Sequence, residues 1–347
     1  MKKGILSVVI MCLIFALCAC NDSGGERTSI DNTEEESINF KDDDTYEEDS
    51  NNSEQDTIDV VLANAELLYP SYNDSFQYNV YKKSNSEECF IELTDYLGSD
   101  TDVSIPSEID GYEVWSIGDE CFYPLNGIVS IELPQTIKKI GTRAFACLVW
   151  GFGESRPVTP QSIRMQNGIE LIGEEAFSGS LDLQNIELPD SIFSIGTGAF
   201  SHCESLTSIK WPQNAYNVPE KAFWECVSLK EVVLPDTVTE IGISAFEGCP
   251  LSGELKLPDS INTICKSAFQ ECMISSVEIP QNCFVDTYAF FHCSLLEKVV
   301  IHQNVTIGDS TFGRPNANLV IYGYADSQAA QYCIENKVKF KLIDDNE

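Results

Sequence analysis

The chain has 347 residues and a formal net charge of −34, with a pI near 4.2. So large an acidic excess argues against nucleic acid and anionic lipid headgroups as partners, because both repel a polyanion. An apolar share of 43% is ample for a continuous core, and one compact unit on a stalk is the natural partition.

Residues 1–20 read as a lipoprotein signal peptide. Met1-Lys2-Lys3 is a basic start, and residues 4–19 are almost wholly apolar but too few to form a stable membrane span. The segment ends in Leu17-Cys18-Ala19-Cys20, which resembles a bacterial lipobox with Cys20 as the lipidated residue. Leucine in the first place and alanine in the third fit that motif; Cys18 in the second is unusual. Ordinary cleavage with full secretion is the alternative. Two acyl chains suffice for stable attachment, since each buried methylene contributes about 0.8 kcal/mol.

Residues 21–57 carry 14 acids against Arg27 and Lys41, a net of −12, with much Ser, Asn and Thr. Such a segment buries too little apolar surface to fold, and the reading is an acidic, self-repelling, disordered stalk. Asp42-Asp43-Asp44 lacks the alternating acids and turn glycine of an ordered calcium loop, so it reads as solvated charge. Residues 58–100 are expected to form an N-terminal cap and the entry to an array. Within them "IDVVLANAELLYP" reads as a short amphipathic helix or a strand.

From residue 101 to 318 one motif dominates. Phenylalanine stands at 122, 145, 177, 200, 223, 246, 269, 290 and 312, mostly 23 residues apart. A fixed period of this length marks a solenoid whose units bury their apolar faces against one another. "SLTSIKWP" and "SLKEVVLP" supply a short strand, and the proline after it (Pro134, Pro189, Pro212, Pro235, Pro258) lacks an N–H and ends the ladder. A glycine four residues before the phenylalanine (Gly118, Gly141, Gly173, Gly196, Gly242, Gly308) is replaced by Pro219 in one unit and Cys265 in another. Because proline cannot adopt positive φ, the place needs a small or bend-tolerant residue rather than a left-handed one. Small Ala before large Phe, as in Ala199-Phe200, allows a tight turn while the ring fills the interior. The expectation is a leucine-rich-repeat-like β-solenoid of about nine coils with short parallel strands, capped at both ends.

This pattern resembles the BspA-type leucine-rich repeats of bacterial surface proteins over about residues 85–342. The opening "LTDYLGSDTDVSIPSEIDGYEVWSIGDECF" is similar to that family's longer first coil. The close "LVIYGYADSQAAQYCIENKVKF" is similar to its terminal strand and short helix, here assigned to a C-terminal cap over 319–347. The resemblance implies a binding scaffold at the cell surface. Members with an assigned role mostly adhere to host matrix proteins or to other cells.

Of 14 cysteines, Cys203, Cys226, Cys249, Cys272 and Cys293 each stand three residues after a repeat phenylalanine. A ladder at one coil position reads as inward thiols packing under the turn, replacing the asparagine of other leucine-rich repeats. Neighbouring rungs lie at about 4.8 Å, so vertical disulfides are the alternative to a reduced ladder. No C-x-x-C pair points to a metal. His202-Cys203 and His292-Cys293 are Cys–His pairs in sequence only, since adjacent residues point apart and the cysteine is expected inside. With no phosphate loop, nucleophile elbow or H-E-x-x-H, neither an enzyme nor a cofactor is expected.

Outward strand positions form one face: Glu132, Arg164, Glu187, Lys210, Val233, Lys256, Glu278 and Val300. The one insertion, nine residues between Phe145 and Phe177, carries "VWGFGESRPVTP". Its Trp150, Phe152 and Arg156 are the candidate binding loop, because large side chains on loops serve recognition; local cover for the coil is the alternative. Trp115 and Trp224 are secondary candidates. Two functions compete: a lipid-anchored, adhesin-like surface protein that binds extracellular protein or glycan, and an envelope scaffold with no host ligand. Both place the repeat domain outside the cell, with the lipid as its membrane contact.

Overall fold

The computed structural model describes residues 61, 63–125, 127–147, 157–313 and 315–343. The chain enters through helical residues 61, 63 and 64 and an antiparallel hairpin, β1 (Glu66–Tyr72) and β2 (Phe76–Lys82), joined by β3 (Cys89–Tyr96). Helix and strand, offered as alternatives for this stretch, thus both occur. Every inward position here is a large apolar group: Phe76, Tyr78, Val80, Ile91 and Leu93 are all buried.

From there the chain winds as a parallel solenoid with two rows of strands. The first row is β4 (Asp102–Ser104), β7 (Ser130–Glu132), β9 (Ser162–Arg164), β11 (Asn185–Ile186), β13 (Ser208–Lys210), β15 (Glu231–Val233), β17 (Ser252–Leu255), β19 (Met273–Ile279), β21 (Lys298–Ile301), β23 (Val320–Gly323) and β24 (Lys339–Leu342). The second row is β6 (Tyr112–Ile117), β8 (Lys139–Ile140), β10 (Leu171–Ile172), β12 (Ser194–Ile195), β14 (Asn217–Val218), β16 (Glu240–Ile241), β18 (Thr263–Ile264), β20 (Phe284–Val285) and β22 (Thr306–Ile307), with β5 (Glu108–Ile109) antiparallel to β6. Register is residue for residue in most pairs, as in Val103, Ile131, Ile163 and Ile186, and shifts by one at Gly253/Glu254 between β17 and β19. Helix α1 (Gln328–Asn336) separates β23 from β24, starting at an N-cap hydroxyl of Ser327 and ending at left-handed Lys337.

The solenoid has about 11 turns rather than the nine expected. The expectation counted phenylalanines, and β23 and β24 both follow the last of them, Phe312. β23 runs on into α1, and among the described residues no strand of the second row follows β24, so neither brings the turn in which a phenylalanine stands. The strand after the closing helix is also absent from the expected strand-plus-helix ending.

Local chemistry explains each turn. The proline carbonyl accepts the first bond of the turn, from Ile192 N to Pro189 O and from Val238 N to Pro235 O, both 3.1 Å. That bond swings Ile192 and Val238 inward, where both are fully buried. The repeat glycines do not have positive φ; they are small because the preceding turn is close. A Cβ on Gly196 would sit 2.5 Å from Glu174 N and 2.6 Å from Gly173 C. The left-handed positions lie two residues further on, at Glu120, Arg143, Glu175, Gly198, Lys221, Ser244, Ser267, Tyr288 and Ser310.

Candidate binding face

The first row of strands buries alternate side chains and exposes the rest, giving two parallel outer rows. One runs Ser104, Glu132, Arg164 and onward through Glu187, Lys210, Val233, Lys256, Glu278, Val300, Tyr322 and Lys341. The other ends in Ser276, Lys298, Val320 and Lys339. All eight outward residues named from sequence fall in the first of these rows, exposed except for half-buried Val300. Polar groups pair along it: Arg164 lies 3.7 Å from Glu132, and a hydrogen bond of 2.6 Å joins His302 Nε2 and Glu278 Oε1.

Two shallow polar clefts lie where these strands give way to the following turn. One, of about 640 Å³, is lined by Glu254, Lys256, Asp259, Glu278, Gln281 and His302. The other, of about 510 Å³, is lined by Gln135, Gln166, Asn167, Glu187, Asp190 and Lys210. Neither encloses a ligand; both offer hydrogen bonds to something laid across the face. No group of three or more potential metal ligands is assembled among the described residues.

The three loop candidates Trp150, Phe152 and Arg156 lie outside the described residues. The secondary tryptophans have partners within the fold. Trp115 is half-buried and stacks on fully buried Phe90 at 4.6 Å, while its Nε1 donates to Glu113 Oε2 at 3.0 Å. Trp224 is half-buried and meets His202 edge-on at 4.7 Å. Trp115 therefore covers part of the hairpin end, and Trp224 lies on the phenylalanine-turn side, away from the first strand row.

The five ladder cysteines are free and buried. Each thiol donates to the carbonyl of the phenylalanine in the preceding turn: Cys203 to Phe177, Cys226 to Phe200, Cys249 to Phe223, Cys272 to Phe246 and Cys293 to Phe269, at 3.0–3.4 Å. Ser180 makes the same bond to Phe145 O at 3.3 Å. Burial pushes the Cys293 thiol up to about 12, and those of Cys203, Cys249 and Cys272 well above the usual thiol range. A buried thiol held protonated and bonded to a carbonyl is no nucleophile, so neither Cys–His pair forms a dyad. The imidazole of His202 faces Trp224, and that of His292 stacks on Phe291 and lies 3.7 Å from Glu271.

A parallel solenoid of turns mostly 23 residues long, with one solvent-facing row of short strands, is the architecture of leucine-rich repeats. The profile of the BspA type leucine rich repeat region matches residues 97–149, 157–253 and 216–341, more than half the chain. The protein belongs to the BspA-type leucine-rich repeat family. It is similar to a leucine rich cell surface protein from Faecalibacterium prausnitzii, with 24% identity over 74% of this chain and 76% of that one, TM-score 0.55. That likeness establishes a shared fold. Weaker matches are a leucine-rich repeat protein from Bacteroides ovatus (20% identity, 80% and 100% covered, TM-score 0.39) and the pneumococcal vaccine antigen PcpA (15%, 80% and 100%, TM-score 0.40). No curated protein matches at a significant level. Among the described residues no helix is long and apolar enough to cross a membrane.

Proposed function

We infer that this is a lipid-anchored surface protein that uses its first strand row to bind an extracellular protein or glycan, in the manner of an adhesin. The observation that carries the reading is the contrast between the two sides of that row. Inward places repeat almost unchanged, Ile131, Ile163, Ile186 and Ile209, while the outward places on the same strands vary freely in charge and size. Variation at the outward places, over two polar clefts, lets each turn present a different group to something laid across the face, which is how repeat scaffolds bind. The family membership supports a repeat-based binding role, and the likeness to a Faecalibacterium cell surface protein supports a surface location. The anchor rests on the sequence Leu17-Cys18-Ala19-Cys20.

The test is an array of matrix proteins, mucins, plasma proteins and glycans probed with the purified chain. A Lys210→Ala/Lys256→Ala/Glu278→Ala variant and a deletion of residues 149–158 run beside it. Saturable binding lost in the strand-face variant supports the reading; binding lost only in the deletion moves the site to the Trp150/Phe152 loop. No binding by any version rejects an adhesin for the partners tested and favours an envelope scaffold. Separately, Cys20→Ala is expected to abolish labelling by a radioactive fatty acid and release the protein from cells.

A further inference from the structure

The last strand of the first row is β24. β24 pairs with β23 on one side, and among the described residues nothing pairs with it on the other. An unpaired edge is a ready template for another extended chain, and proteins commonly guard such edges with charge. Here the sign of the guard is opposite to that of the molecule. In a chain of net charge −34, with 21 basic residues in all, Lys339 and Lys341 alternate along β24 with Lys337 just before it. Another copy of this chain, or any acidic protein, would be turned away better by carboxylates.

The basic character extends inward from the edge. Lys298, two strands back on β21, and Lys341 both place their ammonium groups over the ring of Tyr322, at 5.7 and 5.5 Å. Half-buried Val300 and Val320 lie beside that ring in the same two outer rows. Lys339 Nζ reaches the Ala317 carbonyl at 3.2 Å, and no ion pair to any of these three lysines occurs among the described residues. The patch thus combines open backbone groups, cations without carboxylate partners, one aromatic ring and a small apolar floor.

We propose that β24 and the Lys298–Tyr322–Lys341 group form the docking edge for an extended acidic segment of a partner protein, which adds to the sheet as a further strand. The free backbone edge selects a polypeptide, since strand addition needs alternating N–H and C=O groups. The lysines select acidic side chains on the outward face of that added strand. The proposal rests on the reading of this chain as a binding protein and names the chemistry of one partner.

The test uses the whole chain and a fluorescent alternating Glu-Val octapeptide, followed by anisotropy at low salt. Saturable binding is expected, absent for the matching Lys-Val peptide and weakened at least tenfold in Lys339→Glu/Lys341→Glu. The same Glu-Val peptide N-methylated at alternate residues keeps its charge but cannot form the ladder, and is also expected to lose at least tenfold. Asp344, Asp345 and Glu347 follow the strand in sequence, outside the described residues. A chain ending at Ile343 is expected to bind at least as well. Thermal melts of each variant should match the parent, since the altered side chains are exposed. No binding at millimolar peptide, equal binding of the methylated peptide, indifference to lysine reversal, or loss on truncation would each overturn the proposal. If the array finds a partner whose binding is untouched by lysine reversal and the Glu-Val peptide does not bind, the docking edge fails while the adhesin reading stands.

Discussion

The ring of Phe177 lies parallel to that of Phe200, 4° from coplanar orientation with centroids 5.2 Å apart. The pair is one step of a stack that runs without a break from Phe122 to Phe312. Each ring is therefore held on both faces, and removing one opens a cavity that neither neighbour can close without leaving its own place. Phe200→Ala is expected to cost about 3–5 kcal/mol. Urea titration followed by circular dichroism checks it, and a loss under 1.5 kcal/mol would mean that the stack repacks.

The thiol ladder makes a prediction about exchange of chemistry at constant shape. Cys226 Sγ donates to Phe200 O at 3.1 Å, and Ser180 makes the equivalent bond two turns earlier. Cys226→Ser keeps the donor and is expected to change stability by less than Cys226→Ala, which leaves a buried carbonyl without it at a cost of about 1–3 kcal/mol. The two variants are compared in the same denaturant titration; equal losses would show that packing of the sulfur, not its bond, matters.

Alkaline pH should weaken the fold. Burial raises Cys283 and Cys293 to about 12 in the folded chain, above the ordinary thiol value of about 8.5. Below that ordinary value both states are protonated and the thiols' contribution is fully present. As pH rises toward 12 the unfolded chain loses protons that the folded one retains, so stability falls. The melting temperature is expected to drop between pH 8 and pH 10, and to drop less in Cys283→Ser/Cys293→Ser. Iodoacetamide at pH 8 should leave both residues unmodified until the chain unfolds; rapid native-state labelling would contradict the burial.

Two backbone places in the turn should respond oppositely to a methyl group. Gly196→Ala brings a Cβ to 2.5 Å from Glu174 N and is expected to cost about 1–3 kcal/mol by overpacking. Pro219 and Cys265 occupy equivalent places, so the turn can shift, which keeps the loss within that range. Ser244 has φ of 53°, the conformation that Gly198 adopts in its own turn. Ser244→Gly is expected to be neutral or stabilising by up to about 1 kcal/mol. Paired melts of the two variants give the comparison; a stabilising Gly196→Ala would sink the close-approach account.

Much of this was written in the period of the chain. A phenylalanine every 23 residues, an alanine before it and a proline after each strand each express one constraint of a coil that stacks on itself. Pro219 alone was enough to show that the repeat glycine is small rather than left-handed. The left-handed place two residues after the glycine carries no sequence signal, because Glu, Arg, Lys, Ser and Tyr fill it, with glycine only at 198. Its strain is borne by the hydrogen bonds of the stacked turn and leaves no compositional mark. β24 escaped because one strand after a helix repeats nothing. For the tryptophans at 115 and 224 the sequence shows only large side chains at variable places, and the fold adds Phe90 and His202 beside them.

The phenylalanine amides also form a chain of bonds, each N–H passing to the carbonyl of the residue before the next phenylalanine, as from Phe200 to Ala222 and from Phe290 to Thr311. The last, Phe312 N, finds the hydroxyl of Tyr332 on α1 at 3.1 Å instead. A side chain from outside the period thus imitates the turn that is missing. Every earlier phenylalanine amide has its carbonyl in the following turn, so Phe312 is the one place in the run where a side chain takes that part. The run of phenylalanine turns therefore closes on a single hydroxyl, while the first strand row continues past it through β23 and β24.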